Sequence, residues 1–233
     1  MPVVSFALPC HNEEDVLRGM VERLVGAFSE HGVYVELVLV DNGSTDGTGR
    51  VIDELIAEGL PVVKEVVDIN EGYGYGVLRG LGACRGRYVG FMCADEQVEA
   101  KDVVRVYEMC SNSKTPKLVK VRRRFRMDGL RRKLISIAYN ALTTVMFGNL
   151  GSLDINGNPK IFSREYLDRM NLASKDWFLD AEVMIKAKRL ELEVLEFNVL
   201  AQMREGGSSN VRVSTCWEFL VNLLRYRFGH PLE

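Results

Sequence analysis

The stretch at residues 87–97, Arg-Tyr-Val-Gly-Phe-Met-Cys-Ala-Asp-Glu-Gln, constrains the fold more than any other part of the sequence. Residues 88–92 form a short apolar run behind the turn Arg85-Gly86-Arg87, the pattern of a strand buried on both faces. The polar residues that follow put a carboxylate and an amide at the C-terminal end of that strand. Open α/β sheets bind their ligands there. Asp95 and Gln97 are two residues apart, so both can turn an oxygen toward one hard cation. Acidic residues also end strands as plain solvated turns, and the stretch alone leaves both readings open.

The remaining chain supplies alternating strands and helices. Strands are expected at 3–8, 35–40, 62–67 and 117–121, and helices at 49–58, 75–83 and 101–110. A helix from about residue 12 to Phe28 takes Asn12 as its N-cap, with acids after it suiting the positive helix end. Alternation at such short spacing predicts an α/β fold, a mostly parallel sheet with right-handed crossovers flanked by helices. With 233 residues, 47% hydrophobic and 27% charged, one large core is expected.

Composition gives several function classes no support. A net charge of -2 carries no general nucleic-acid signature. Five cysteines without a C-x-x-C pair suggest neither a disulfide framework nor a zinc site, and fit a reducing cytoplasmic setting. Met1-Pro2-Val3-Val4 opens straight into a strand, so no signal peptide is expected. No apolar run approaches the roughly 20 residues that span a bilayer.

Two segments have two readings each. Asn70-Glu71-Gly72-Tyr73-Gly74-Tyr75-Gly76 is not a dinucleotide fingerprint, because Val77 stands where the third glycine should fall. It is either a flexible loop or a backbone that approaches a nucleotide closely. Residues 114–133 carry Lys117, Lys120, Arg122, Arg123, Arg124, Arg126, Arg131, Arg132 and Lys133 against the single acid Asp128. That run is a solvated face or a set of planar forks for phosphate. The apolar helical face at 134–147 after it suits a helix lying in a membrane interface or one docked on the protein's own core.

In this order, the motifs resemble those of family 2 glycosyltransferases of the GT-A fold, within them the dolichol-phosphate mannose synthase-like, polyprenyl-phosphate glycosyltransferase group. Pro9-Cys10-His11-Asn12-Glu13 is similar to the Pro-x-Tyr-Asn-Glu opening of that family, and Val40-Asp41-Asn42-Gly43-Ser44-Thr45-Asp46 to its Val-Asp-Asp-x-Ser-x-Asp turn. Cys93-Ala94-Asp95-Glu96-Gln97 resembles its Asp-Ala-Asp-x-Gln metal motif, and Arg131-Arg132-Lys133-Leu134-Ile135-Ser136 its acceptor-phosphate stretch. Asp154-Ile155-Asn156-Gly157-Asn158-Pro159-Lys160-Ile161-Phe162 takes the place of the segment between domain halves, and Arg204-Glu205-Gly206-Gly207-Ser208 of the late Arg-x-x-Gly-x-Ser element.

The resemblance implies one GT-A domain over 1–233, with 1–121 for the nucleotide sugar and 122–233 for the acceptor. It implies that Pro9, His11, Glu13, Asp41, Asn70, Gly72, Arg79, Ala94 and Asp95 hold a GDP- or UDP-linked sugar. Asp95 and Gln97 would bind Mg²⁺ or Mn²⁺; Arg122, Arg132, Ser136 and Arg204 would hold the acceptor phosphate, with Asp95, Arg132 and Arg204 catalytic. His11 replaces the usual tyrosine, and Cys93 replaces an aspartate with a thiol, a poor Mg²⁺ ligand. The implied reaction is inverting sugar transfer to a polyprenyl phosphate, with peripheral contact at the cytoplasmic membrane face. A hydroxyl acceptor would instead need a carboxylate base, Asp180 or Glu182, whose other reading is helix capping and packing. A non-catalytic nucleotide-sugar-binding module is the third reading, and Cys93 is its support.

Overall fold

The computed structural model describes residues 1–95, 97–125, 130–200 and 213–229, and within them every side chain except those of 124, 125, 130–134 and 213–220. Chain order is β1 Val4–Cys10, α1 Leu17–Glu30, β2 Val35–Asn42, α2 Thr48–Ala57, β3 Val62–Val67, α3 Tyr73–Ala83, β4 Tyr88–Phe91 and α4 Ala100–Ser111. It continues with β5 Lys117–Phe125, α5 Leu130–Phe147, β6 Lys160–Ser163, α6 Glu165–Met170, α7 Leu179–Arg189, β7 Glu193–Leu200 and α8 Val213–Phe228.

One sheet takes all seven strands in the order β3-β2-β1-β4-β6-β5-β7. β1, β2, β3 and β4 pair in parallel, as do β5 and β7, while β6 runs antiparallel to both β4 and β5. The apolar strands are covered on both faces, as their continuous hydrophobic runs require. Phe6, Leu8, Leu37 and Val121 face α1, α2 and α4. Ala7, Val38, Phe91 and Leu118 face α3, α7 and buried residues of α5, α6 and α8.

This topology selects one edge of the sheet for chemistry. The chain runs outward from β1 through β2 to β3, then returns to place β4 on the other side of β1. The β1/β4 boundary is therefore a topological switch point, where a crevice opens outside the strand C-termini. Because β6 is reversed, its first residue, Lys160, lies at that same edge, opposite Phe91 of β4 and Lys120 of β5.

The expected N-cap at Asn12 is not formed. α1 begins at Leu17 behind Val16, and Asn12 sits in a left-handed backbone conformation at φ 58°. Its side-chain oxygen accepts Thr45 N at 2.8 Å, so it ties two loops together instead of capping a helix.

Candidate active site

The β1–α1 and β2–α2 loops are stitched into one rim. Besides the Asn12–Thr45 bond, Glu13 N donates to Thr48 Oγ1 at 2.9 Å and Gly47 N to Glu14 Oε2 at 2.8 Å. His11 is exposed, and its Nδ1 bonds the Asn42 carbonyl at 3.0 Å, which leaves an anchored flat ring open to solvent. Asp41, the last but one residue of β2, lies opposite Cys10, and its Oδ1 accepts Ser44 N at 3.2 Å. Pro9, His11, Glu13 and Asp41 are thus gathered on this rim. Asn70 joins it through its Oδ1, which accepts Asn42 Nδ2 at 3.3 Å and Gly72 N at 2.9 Å. Arg79 is not brought there: it pairs with Glu65 at 3.0 Å on the exposed outer side of α3.

The glycine segment has a structural reason that neither sequence reading anticipated. Gly72 has φ 115°, and a Cβ on it would lie 2.6 Å from the Lys175 carbonyl oxygen. A Cβ on Gly74 would lie 2.5 Å from the Asp176 carbonyl oxygen. These glycines let α3 press directly on the 174–176 backbone, and Tyr75 N donates to Lys175 O at 2.8 Å. Tyr73 then stacks on Trp177, centroids 4.4 Å apart and planes 9° from parallel. Gly74→Ala is expected to destabilise by about 2 kcal/mol, the scale of an overpacked site, read as a lowered thermal midpoint. An unchanged midpoint would show that the loop yields freely.

β4 does end in the polar turn. Gln97 N donates to Asp95 Oδ1 at 3.3 Å, which holds the two side chains on one short loop. Ala94 is buried beneath it. Asp95, Gln97 and Cys93 line a small cleft together with Met92, Val98, Arg123 and Asn158. The Cys93 sulfur is hydrogen-bonded to Tyr73, whose hydroxyl is pushed well above its usual range by desolvation, then by Asp180 and Cys93. That hydroxyl keeps its proton and serves as a donor.

The basic run proves to be divided in its use. Lys117 is paired with Glu193, and the fully buried Lys120 with Glu196 at 2.9 Å. Arg123 enters the cleft, and Arg122 projects to the other side of β5, since neighbouring strand residues face opposite ways. Asp154 grips Arg123 with both oxygens, at 3.1 and 3.2 Å, and Asn156 O accepts a further bond at 2.8 Å. Burial works against the Arg123 charge, but Asp154 outweighs it and holds the guanidinium above its usual range. Burial likewise opposes the Asp154 charge, yet Arg123 and then Lys120 hold that carboxyl well below the usual range. Asn140 braces α5 against this anchor: its amide oxygen accepts Ile155 N at 3.1 Å and its nitrogen donates to Leu153 O at 3.0 Å. Ser136, one turn before, lies 3.5 Å from the same amide nitrogen. The Arg132 and Arg204 side chains lie outside the described residues.

Asp180 and Glu182, the candidate bases, are both engaged in packing. Asp180 is 2% exposed and paired with Lys160, itself fully buried. Glu182 accepts Ala173 N and Ser174 N, the latter at 2.8 Å, and pairs with Lys186 at 2.6 Å. Sequence reasoning named Arg123 only as one of the basic run, and it did not single out Tyr73, Asn158 or Lys160. The phase of β5 could have given Arg123, which shares its side with the apolar Val119 and Val121; the others depend on contacts distant in sequence.

The family model for glycosyl transferase family 2 matches residues 5–170, and the chain belongs to that family. The low-salt glycan biosynthesis hexosyltransferase Agl6 of Haloferax volcanii is 26% identical over 99% of this chain and 56% of its own length. The undecaprenyl-phosphate 4-deoxy-4-formamido-L-arabinose transferase of Pseudomonas fluorescens is 28% identical over 99% of this chain and 66% of its own. The chain therefore spans between about half and two thirds of these curated relatives. In shape it is similar to glucosyl-3-phosphoglycerate synthase from Mycobacterium tuberculosis, solved with Mn²⁺, UDP and glucosyl-3-phosphoglycerate. That likeness has a TM-score of 0.72 at 21% identity, covers 100% of this chain and 82% of that one, and shows a shared GT-A fold. No helix among the described residues is long and apolar enough to cross a membrane.

Proposed function

We propose that this chain transfers a sugar from a UDP- or GDP-linked donor to a polyprenyl phosphate, inverting the anomeric centre. One observation carries the reading: a guanidinium fixed by Asp154 faces the same cleft as Asp95 and Gln97. Two anions, the donor diphosphate and a phosphate acceptor, can then be held side by side, and holding them so is most of what the reaction asks. An anionic acceptor needs no deprotonation, which agrees with Asp180 and Glu182 being spent on packing. The name of the undecaprenyl-phosphate transferase points the same way.

The donor set suits a hard divalent ion. Mg²⁺ is commonly held by one or two protein oxygens plus substrate phosphates, and Asp95 and Gln97 offer that number. They would hold Mg²⁺ or Mn²⁺, which when bound neutralises charge on the departing diphosphate. His11 and Pro9 would pack on the base, with Glu13 and Asp41 toward base and ribose. Arg123 would share the acceptor phosphate with Arg132, Ser136 and Arg204. The apolar side chains of Ile137, Val145, Leu153 and Phe228, each more than half exposed, would meet the membrane interface where the lipid enters.

Two variants test this assignment. Arg123→Lys keeps a charge beside Asp154 but loses the planar fork, so transfer to polyprenyl phosphate should fall about 10-fold while donor affinity holds. Equal loss of donor affinity would move Arg123 to the donor side. Cys93→Asp adds a hard ligand and should tighten Mg²⁺ binding in titration calorimetry. Unchanged or weaker binding would show that position 93 does not face the ion.

A further inference from the structure

A chain of hydrogen bonds runs from the core to the cleft wall. Lys160 Nζ is paired with Asp180 and donates to Asn158 Oδ1 at 3.2 Å. Asn158 Nδ2 donates to the Tyr73 hydroxyl at 3.0 Å. The Tyr73 hydroxyl is in turn hydrogen-bonded to Cys93, and Trp177 stacked on its ring fixes its direction. Lys160 is fully buried over the Phe91 ring at 5.4 Å. Burial pushes its ammonium down to about 8 even with Asp180 beside it. Such a pair contributes little net stability compared with apolar residues of the same shape, so its presence calls for another account.

The account is at Asn158, which is 8% exposed and lines the cleft with Asp95, Gln97 and Arg123. A primary amide has two N–H donors and two acceptor lone pairs. Lys160 fixes the oxygen end and Tyr73 the nitrogen end, so the amide cannot flip and one N–H and one lone pair remain. A phosphate oxygen only accepts, and the remaining lone pair would repel it. A sugar hydroxyl donates and accepts at once, and matches both.

We infer that Asn158 is a specificity-determining residue that reads a hydroxyl of the donor's transferred sugar, with Lys160 and Tyr73 as the positioning residues that orient its amide. This rests on the nucleotide-sugar reading above. Asn158 lines one small cleft with Asp95, Gln97 and Arg123, so a sugar passing there between diphosphate and acceptor would come within its reach.

The test compares a nucleotide sugar with its bare nucleotide, using UDP-glucose against UDP and GDP-mannose against GDP, each with Mg²⁺ and with Mn²⁺, in titration calorimetry. Asn158→Ala should weaken the sugar nucleotide about 10-fold, the scale of one or two hydrogen bonds, and leave the diphosphate unchanged. Lys160→Met/Asp180→Leu, which removes the charges but keeps the volume, should show the same sugar-only loss at a thermal midpoint close to wild type. Tyr73→Phe added to Asn158→Ala should cost nothing further. Equal weakening of sugar nucleotide and diphosphate, or no weakening of either, overturns the inference and leaves the functional reading standing. A wild type that binds neither sugar nucleotide nor diphosphate overturns the functional reading and this inference with it.

Discussion

Asp95→Ala is expected to leave a folded protein with sugar transfer reduced roughly 1,000-fold or more, the rate equivalent of losing several kcal/mol of charge stabilisation at a metal-bound diphosphate. Asp95 is half-buried on the loop after β4, and its Oδ1 accepts the Gln97 backbone N at 3.3 Å. Asp95 lies outside the apolar core built on β4, so its removal leaves that core untouched. The thermal midpoint should therefore move little while turnover and Mg²⁺ affinity collapse together. Full activity in a well-folded Asp95→Ala protein would end the assignment of this turn as the metal site.

Lys160→Met should have the largest effect on stability. It strands the Asp180 carboxylate, 2% exposed, without its partner. Breaking one side of a buried pair costs about 3–5 kcal/mol, a large share of a total near 5–15 kcal/mol. The thermal midpoint should fall by about 10 °C, and Lys160→Met/Asp180→Leu should recover most of it. A single variant as stable as the wild type would show that Asp180 finds water or another partner.

The pair also has a signature in pH. The folded pKa of Lys160, about 8, lies below the ordinary lysine value of 10.5. Between these values the unfolded chain binds more protons, so this group makes stability rise with pH over that window. Below about 8 the penalty is fully present, and the doubly substituted protein should lack this component.

The sequence showed most clearly what depends on neighbours in the chain. The strand run at 88–92 and the polar turn at Asp95 could be read because burial on both faces and an abrupt change of polarity are local signals. The expected strands at 62–67 and 117–121 and the helix at 101–110 follow for the same reason, each found with its ends shifted by no more than a few residues. β6 and β7 were harder to see, because β6 is four residues long and β7 carries Glu193, Glu196 and Asn198. The Asn12 cap failed because its side chain had a stronger use in a loop 33 residues away.

The same limit applied to the site. Lys120 reads as one more surface cation in a basic run, and its burial is explained by partners distant in sequence, Glu196, Ser152 and the Asp154 carbonyl. Gly72 and Gly74 read as flexibility or ligand approach, whereas their neighbour is the backbone at 174–176, about a hundred residues on. Asn158 and Lys160 gave no signal, since their meaning comes from Tyr73 and Asp180.

The most direct measurement offers the purified protein UDP- or GDP-sugars with Mg²⁺ or Mn²⁺, giving it polyprenyl phosphate in detergent in one reaction and a soluble saccharide in another. The expected product is a sugar joined through phosphate to the lipid, formed with inversion, lost on chelation of the metal and reduced about 10-fold in Arg123→Lys. Transfer to the saccharide hydroxyl with none to the lipid phosphate, undiminished in Arg123→Lys, would contradict it.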